Sequence, residues 1–287
     1  MFILIFLVDN FASENKGISM KADLINKQLE ETDLNQYLVI QIADNSYALS
    51  ILPIKEIVIA PEATPMPNSP EFVRGLIKLR QNIITLIDSR KRLGFRSILE
   101  NGQELFRMLQ ERKQDHINWL QTLYTAVEKD GDFNLTTDPH ACAFGRWYDN
   151  FKTDNYGLEV YLRQFDAPHK RIHAIATRAL KEKELNGKSA AIKIIEQVKN
   201  TDLKAMIDLF DNAEQAIKEA HRELAIILEH NNSIVAITAD NVSNIVSFEK
   251  EQIQQSELNE RNQFLNGSVN INGDIILVID IDRFVNY

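Results

Sequence analysis

Cysteine is almost absent: Cys142 stands alone among 287 residues. No disulfide can form within the chain, so a reducing compartment is the simpler setting. Membrane-spanning apolar runs are missing too. The run from Met1 to Val8 is eight residues long, too short to cross a bilayer. No basic residues precede it and no small-residue cleavage site follows, so it is a poor signal peptide. Met20 opens a more ordinary beginning, MKADLINKQLEE. The expectation is that translation starts there and that residues 1–30 form a tail outside the fold. A cytoplasmic protein without membrane insertion follows. Basic residues are also in deficit, 32 against 41 acidic, for a net charge of −9. That charge repels polyanions and argues against a nucleic-acid or anionic-membrane partner. The basic run Arg90-Lys91-Arg92 reads as a solvated strand end.

What is present is a globular composition with enough length for about two domains. Residues 37–95 are strand-like. Tyr37–Ile42 and Tyr47–Ile51 flank a turn signal at Asp44-Asn45-Ser46. Pro61, Pro65, Pro67 and Pro70 mark a loop, and Ile83–Ile87 is a further apolar strand. Residues 225–285 repeat the style. Ala225–Leu228 and Ile234–Ile237 flank Asn231-Asn232-Ser233. Ser268–Ile271, Asn272-Gly273 and Asp274–Ile279 form a strong hairpin signal, because Asn-Gly tolerates the positive φ of a tight turn.

The two ends also match residue for residue. Phe72, Gly75, Ile77, Ile83, Ile84, Ile87 and Asp88 recur as Phe264, Gly267, Val269, Ile275, Ile276, Ile279 and Asp280, always 192 positions on. Leu49, Ile54, Ile57 and Val58 match Ile237, Val242, Ile245 and Val246 at a spacing of 188. This is an internal duplication of a small β unit.

Between the halves the apolar period changes from two to about 3.6. Leu105, Leu109, His116, Leu120, Leu123 and Val127 share one helical face. Leu162, Phe165, His169, His173, Ala176 and Leu180 form another, with Asp166 placed to cap a segment that has Pro168 in its first turn. Ile195, Val198, Met206, Leu209, Ala213, Ile217, Ala220 and Leu224 line a long last helix. Gly131, Gly157 and Gly187 read as helix-end glycines. An antiparallel four-helix domain with a short second helix near 142–151 is expected. Its two ends must return to neighbouring points, so the first and last helices should form a stalk.

Three histidines lie on apolar helix faces. A lone one is usually a hydrogen-bonded core residue. His169 and His173, four apart, put two imidazoles on one face one turn apart, where they can converge on one ion. With His116 and the Cys142 thiolate they make a closed tetrahedral set of the softness zinc favours. Four protein ligands leave no position for substrate water, and there is no HExxH, so a metal hydrolase is disfavoured. A di-iron site would need more carboxylates than the inner faces carry. His140 is the rival ligand and reads as a polar loop residue. His221 and His230 read as solvated.

His116-Ile117-Asn118-Trp119, then Cys142-Ala143-Phe144-Gly145-Arg146-Trp147-Tyr148, then His169-Lys170-Arg171-Ile172-His173 resembles the chemoreceptor zinc-binding (CZB) domain. That family's pattern runs HxxW, Cx[LF]GxWx, HxxxH. The resemblance implies His116, Cys142, His169 and His173 as zinc ligands, with Trp119 and Trp147 packed around them. The β halves resemble a CheW-like chemotaxis coupling domain, on Tyr37–Ile42, Glu56-Ile57, Pro65, Pro67, Phe72–Arg80 and Ile87-Asp88, then Asp240-Asn241-Val242 and Ile279–Asp282. Such domains are two small SH3-like β-barrels, which fits the duplication.

The resemblance implies an α+β chain with residues 31–98 and 226–287 as halves of the coupling domain and 99–225 as a four-helix insert. It implies an adaptor, not an enzyme, that couples chemoreceptors to a histidine kinase, and it leaves a homodimer open. The insert would hold zinc and sense zinc or an oxidant such as hypochlorous acid, or serve only as a zinc-stabilised scaffold. Arg80 is carried over as a partner contact. The family often has glycine where this chain has Gln81 and proline where it has Thr85.

Overall fold

The computed structural model describes residues 35–255 and 262–286. The expected N-terminal tail and the Met20 start lie outside the described residues. In chain order come β1 (Gln36–Ile42), β2 (Asn45–Ser50), β3 (Ile54–Ile59), β4 (Val73–Leu79), β5 (Asn82–Ile87) and a short helix α1 (Ser89–Arg92). Helices α2 (Ile98–Glu128), α3 (Ala143–Asn150), α4 (Tyr156–Arg163), α5 (Asp166–Asn186), α6 (Lys188–Val198) and α7 (Lys204–Ala220) follow. Then come β6 (Leu224–His230), β7 (Ser233–Ala239), β8 (Asn241–Ser247), β9 (Leu265–Ile271), β10 (Asp274–Ile279) and α8 (Ile281–Val285). The chain divides into a β unit, Met1–Ser97 with Arg222–Tyr287, and a helical unit, Ile98–His221.

The β unit holds two five-stranded sheets, ordered β8-β1-β2-β10-β9 and β3-β6-β7-β5-β4. Advancing every strand by five positions turns the first order into the second. The duplication is therefore real in three dimensions, down to register. Leu277 opposes Tyr47 in one sheet and Thr85 opposes Val235 in the other. The two repeats do not close on themselves: the first two strands of each pair with the last three of the other. Ile40, Ile42, Leu49, Ile87, Ile226, Leu228, Ile237 and Phe284 fill a core drawn from both.

The hairpin at Asn272-Gly273 has φ of 56° and 99°, as that dipeptide requires. The first turn sits at Ala43-Asp44, just ahead of the expected position, because β2 already begins at Asn45. Ala43 takes a φ of 53° and its N–H donates to Asp240 at 2.7 Å, a long-range contact that local turn chemistry does not reveal. Gly75 and Gly267 have φ of 139° and 151°, and a Cβ on either would stand 2.1 Å or 2.5 Å from its nearest neighbour atom. Only glycine fits both.

The basic run 90–92 is not a solvated strand end. It forms α1, capped by Asp88. The Arg90 guanidinium makes a two-pronged pair with Asp240, and Arg92 lies between the rings of Phe72 and Phe264.

In the helical unit α2 and α7 run antiparallel. Gly102 stands against Ile217 and His221, Gln110 bonds the Phe210 carbonyl at 2.8 Å, and Lys113 pairs with Asp211. α4 with α5, and α6 with α7, make the other two long rods, and α3 is the short second helix. Several local expectations need correction. The last helix is interrupted by one π-helical turn, Lys199–Leu203, which adds a residue to the period and turns Phe210 inward. Leu224 belongs to β6. Asp166 pairs with Lys170 and caps nothing, since α5 follows α4 almost without a break. Gly157 sits in the first turn of α4 behind the true cap, Asn155. No helix among the described residues is long and apolar enough to cross a membrane.

Candidate metal centre

Four side chains from three helices converge inside the helical unit. His116 comes from the middle of α2, Cys142 from the N-cap of α3, and His169 and His173 from successive turns of α5. One ligand atom from each lies within 4.8 Å of every other. The three imidazoles stand nearly perpendicular, at 75°, 89° and 90°, with centroids 4.8–5.7 Å apart. Cys142 Sγ is 3.3 Å from His169 Nε2, close to the roughly 3.5 Å edge of a tetrahedron with bonds of about 2.0–2.3 Å.

The orientation of each donor has a local cause. His116 Nδ1–H donates to the Arg112 carbonyl one turn back, at 2.7 Å. That leaves Nε2 as an acceptor lone pair, buried without a hydrogen-bond partner. Neither ring nitrogen of His173 makes a hydrogen bond of good geometry, although the Thr136 backbone stands beside the ring. The Thr136 carbonyl beside it is held by Trp119 Nε1 at 2.9 Å. The Cys142 sulfur accepts the Gly145 N–H at 3.1 Å. This needs Gly145 to be glycine: a Cβ there would lie 1.8 Å from the Pro139 carbonyl oxygen.

Orphaned buried acceptors cost free energy unless something occupies them. Three imidazoles and a sulfur, with no carboxylate in the set, suit a borderline-soft cation. Burial and the neighbouring imidazoles push His169 down to about 3, and burial pushes His173 down to about 4 and also lowers His116. All three are neutral at pH 7, the form that ligates. Burial raises the Cys142 thiol, and the Gly145 and Phe144 N–H groups pull it partly back.

Aromatic rings wall the cluster. Phe144 meets His169 edge-on at 4.9 Å, Phe210 lies 6.2 Å from His116, and Trp119 packs on His173 at 4.9 Å. Trp147 stands one layer back, against Phe144 and Phe151. Sequence reasoning assigned no role to Gly145, Thr136 or Phe210. The glycine's invariant place in the quoted motif was the available signal for the first; the π turn hid the last.

The other candidates lie elsewhere. His140 is exposed and pairs with Asp149 at 2.8 Å. His221 is half-buried, with Nδ1 on the Ile217 carbonyl, and His230 is largely buried, 3.3 Å from Asp282; neither is freely solvated. Arg80 lies in the β unit at the turn between β4 and β5, with a φ of 54°, its exposed guanidinium 2.9 Å from Glu56. Gln81 has no positive φ, so that turn does not need the family's glycine.

The chemoreceptor zinc-binding domain model matches residues 116–180, and the CheW-like domain model matches 36–114 and 199–287. The chemotaxis protein CheW of Treponema pallidum is 36% identical over 70 residues, 24% of this chain and 41% of that protein. CheW of Helicobacter pylori is 30% identical over 89 residues, 31% of this chain and 54% of that protein. The chain thus spans about half the length of the curated relatives it matches. The crystal structure of the scaffolding protein TtCheW from Thermoanaerobacter tengcongensis is similar at a TM-score of 0.43 and 13% identity, over 90% of this chain and 92% of that one. The CheW-like match covers more than half of the sequence, on both sides of the zinc-binding match, and the paired five-stranded sheets repeat across the same interruption: the chain belongs to the CheW-like family, its domain split around a CZB domain.

Proposed function

We propose that this protein is a cytoplasmic chemotaxis adaptor that links chemoreceptors to a histidine kinase, and that its helical unit holds one zinc ion through His116, Cys142, His169 and His173. The observation that carries the metal assignment is the mutual approach of three buried imidazoles and one half-buried sulfur, all within 4.8 Å, with His116 Nε2 and the His173 ring left without a hydrogen-bond partner. The adaptor role follows from membership of the CheW-like family.

Bound zinc supplies the positive charge that holds the Cys142 sulfur as thiolate at neutral pH. His116, locked by the Arg112 carbonyl, presents one lone pair in a fixed direction. The aromatic wall keeps water away from the imidazoles. Cys142 is the most accessible of the four, half-buried where the histidines are fully buried. It is therefore the donor an oxidant such as hypochlorous acid reaches first. Two-electron oxidation of its sulfur to the sulfenic acid would remove one ligand and loosen α3 from α5. On this reading the helical unit is a sensor of oxidant or zinc, and Arg80 is a contact for the kinase or receptor. Four protein donors would fill the coordination set and leave no position for a substrate water, which favours an adaptor over an enzyme.

Metal analysis of the purified protein and of Cys142→Ser tests the assignment. About one zinc per chain, lost or weakened in the variant, is expected. Kinase or receptor binding that responds equally to zinc and oxidant in both proteins would end the sensing role and leave a zinc-stabilised scaffold.

A further inference from the structure

A second cluster of buried polar groups lies in the β unit, unconnected with the metal ligands. Arg74, on β4, donates to Asp88 at 2.6 Å and to both oxygens of Glu223 at 2.5 and 3.2 Å. Ser97 donates to the same Asp88 oxygen at 2.7 Å. Asp88, Ser97 and Glu223 are 2%, 3% and 3% exposed. Beside them Arg90 grips Asp240. The cluster holds two guanidinium groups and three carboxylates.

Its members have a telling place in the chain. Ser97 is the last residue before the helical unit, and Glu223 is the second residue after it. The Glu223 carbonyl also accepts from Ala60 N–H at 2.9 Å, so backbone and side chain both hold it. One guanidinium therefore gathers the departing and the returning chain.

The internal duplication supplies a control. The equivalent place under the 192- and 188-residue spacings carries Asn266 for Arg74, Asp280 for Asp88, Asp282 for Arg90, Leu52 for Asp240 and Asn35 for Glu223. There, Asn266, Asp280, Asp282 and Leu52 line an open groove of about 590 Å³. The β fold thus closes without such a cluster. A buried charge cluster is a poor source of stability but a strong constraint on geometry. It occurs where the first repeat leaves for the helical unit and the second returns from it.

We propose that this cluster is a clasp: Arg74 fastens both chain crossings to the β unit, so that loosening of the helical unit is felt in β5 and β6. The clasp needs no metal, and its failure is separate from failure of the zinc assignment. At Asp88 the Arg74 guanidinium and the Ser97 and Lys91 donors outweigh burial and lower the pKa, whereas at Glu223 burial outweighs Arg74 and raises it.

Hydrogen exchange on the full chain tests it. Ile195→Ala opens a cavity in the helical core, where Ile195 is 1% exposed, and faster exchange in α2 verifies the loosening. With the clasp intact, the amides of Ile226 and Ile227 on β6 should then exchange about tenfold faster or more. In the charge-balanced background Arg74→Met with Glu223→Gln, Ile195→Ala should leave them unchanged to within about twofold. Arg74→Lys, which keeps the charge but not the fork, should give an intermediate response. If Ile195→Ala alone leaves β6 unmoved, the clasp is refuted whether or not the double variant folds. Equal acceleration in both backgrounds refutes it too.

Discussion

Arg80 and Asn272 occupy one position in the two repeats. Each opens the two-residue turn of its hairpin, with φ of 54° and 56°. Asparagine takes that conformation readily and arginine does not. The Arg80 ion pair with Glu56 is largely exposed and offsets little of the cost. Arg80→Asn should therefore leave the denaturant midpoint unchanged or raise stability by up to about 1 kcal/mol. If Arg80 is a partner contact, the same variant should weaken binding to the kinase or receptor at least about fivefold, or about 1 kcal/mol. A pull-down titration that matches wild type would remove Arg80 from the interface.

Gly145 carries a different kind of constraint. Its missing Cβ leaves room for the Pro139 carbonyl, and its N–H holds the Cys142 sulfur. Gly145→Ala must push the 139–142 loop away and misplace the sulfur. We expect zinc affinity to fall by about 10- to 100-fold with helical content by circular dichroism intact. A competition titration against a chromophoric chelator measures this. Wild-type affinity in the variant would show that the loop can yield without moving Sγ.

Much of this was legible in the sequence, and the gaps have physical causes. Central strands such as β1 and β5 bury a full face and were plain. β3, β4 and β8 were not marked as strands: each lies at a sheet edge, and Ile54–Ile59 and Asn241–Ser247 are mostly half-buried or exposed and carry little alternation, while Val73–Leu79 alternates but is broken by Gly75. The duplication was visible, but not the exchange of strands between repeats, since a register of identities says nothing about which copy a strand pairs with. The helical spacing of His169 and His173 announced a shared face. The Arg74 cluster was silent, because the carboxylates that pair with Arg74 lie 14 and 149 residues from it and each alone resembles a surface charge.

The buried imidazoles fix how the metal-free helical unit responds to acid. Their folded pKa values lie below the ordinary 6.5, at about 3 for His169 and about 4 for His173, with His116 also lowered. Below pH 6.5 the unfolded chain binds more protons than the folded one, so stability falls as pH falls. The contribution is whole above about 6.5 and is lost on the way down towards 3–4. Each imidazole accounts for at most about 1.4 kcal/mol per pH unit. Thermal melts of chelator-treated protein, followed by Trp119 and Trp147 fluorescence, should show a lower midpoint at pH 5 than at pH 7.5. His169→Gln should flatten the slope.

Arg92 tests how the two repeats are bound to each other. The 192-residue spacing makes it the counterpart of Phe284, yet one is a cation and the other fills the core. The Arg92 guanidinium lies 4.0 Å from the Phe72 ring centre and 4.2 Å from that of Phe264, the duplicated pair. It also donates to the carbonyls of Arg283, Phe284 and Asn286, capping the end of α8. Burial lowers its pKa, but not enough to discharge an arginine. Lysine keeps the charge and loses the planar fork that stacks and donates at once. Arg92→Lys should cost about 1–3 kcal/mol in the β unit, read as a lower denaturant midpoint. Its zinc content should stay at the wild-type value, because every proposed ligand lies in the helical unit. A midpoint within error of wild type would mean that Phe72 and Phe264 hold the repeats together without the cation between them.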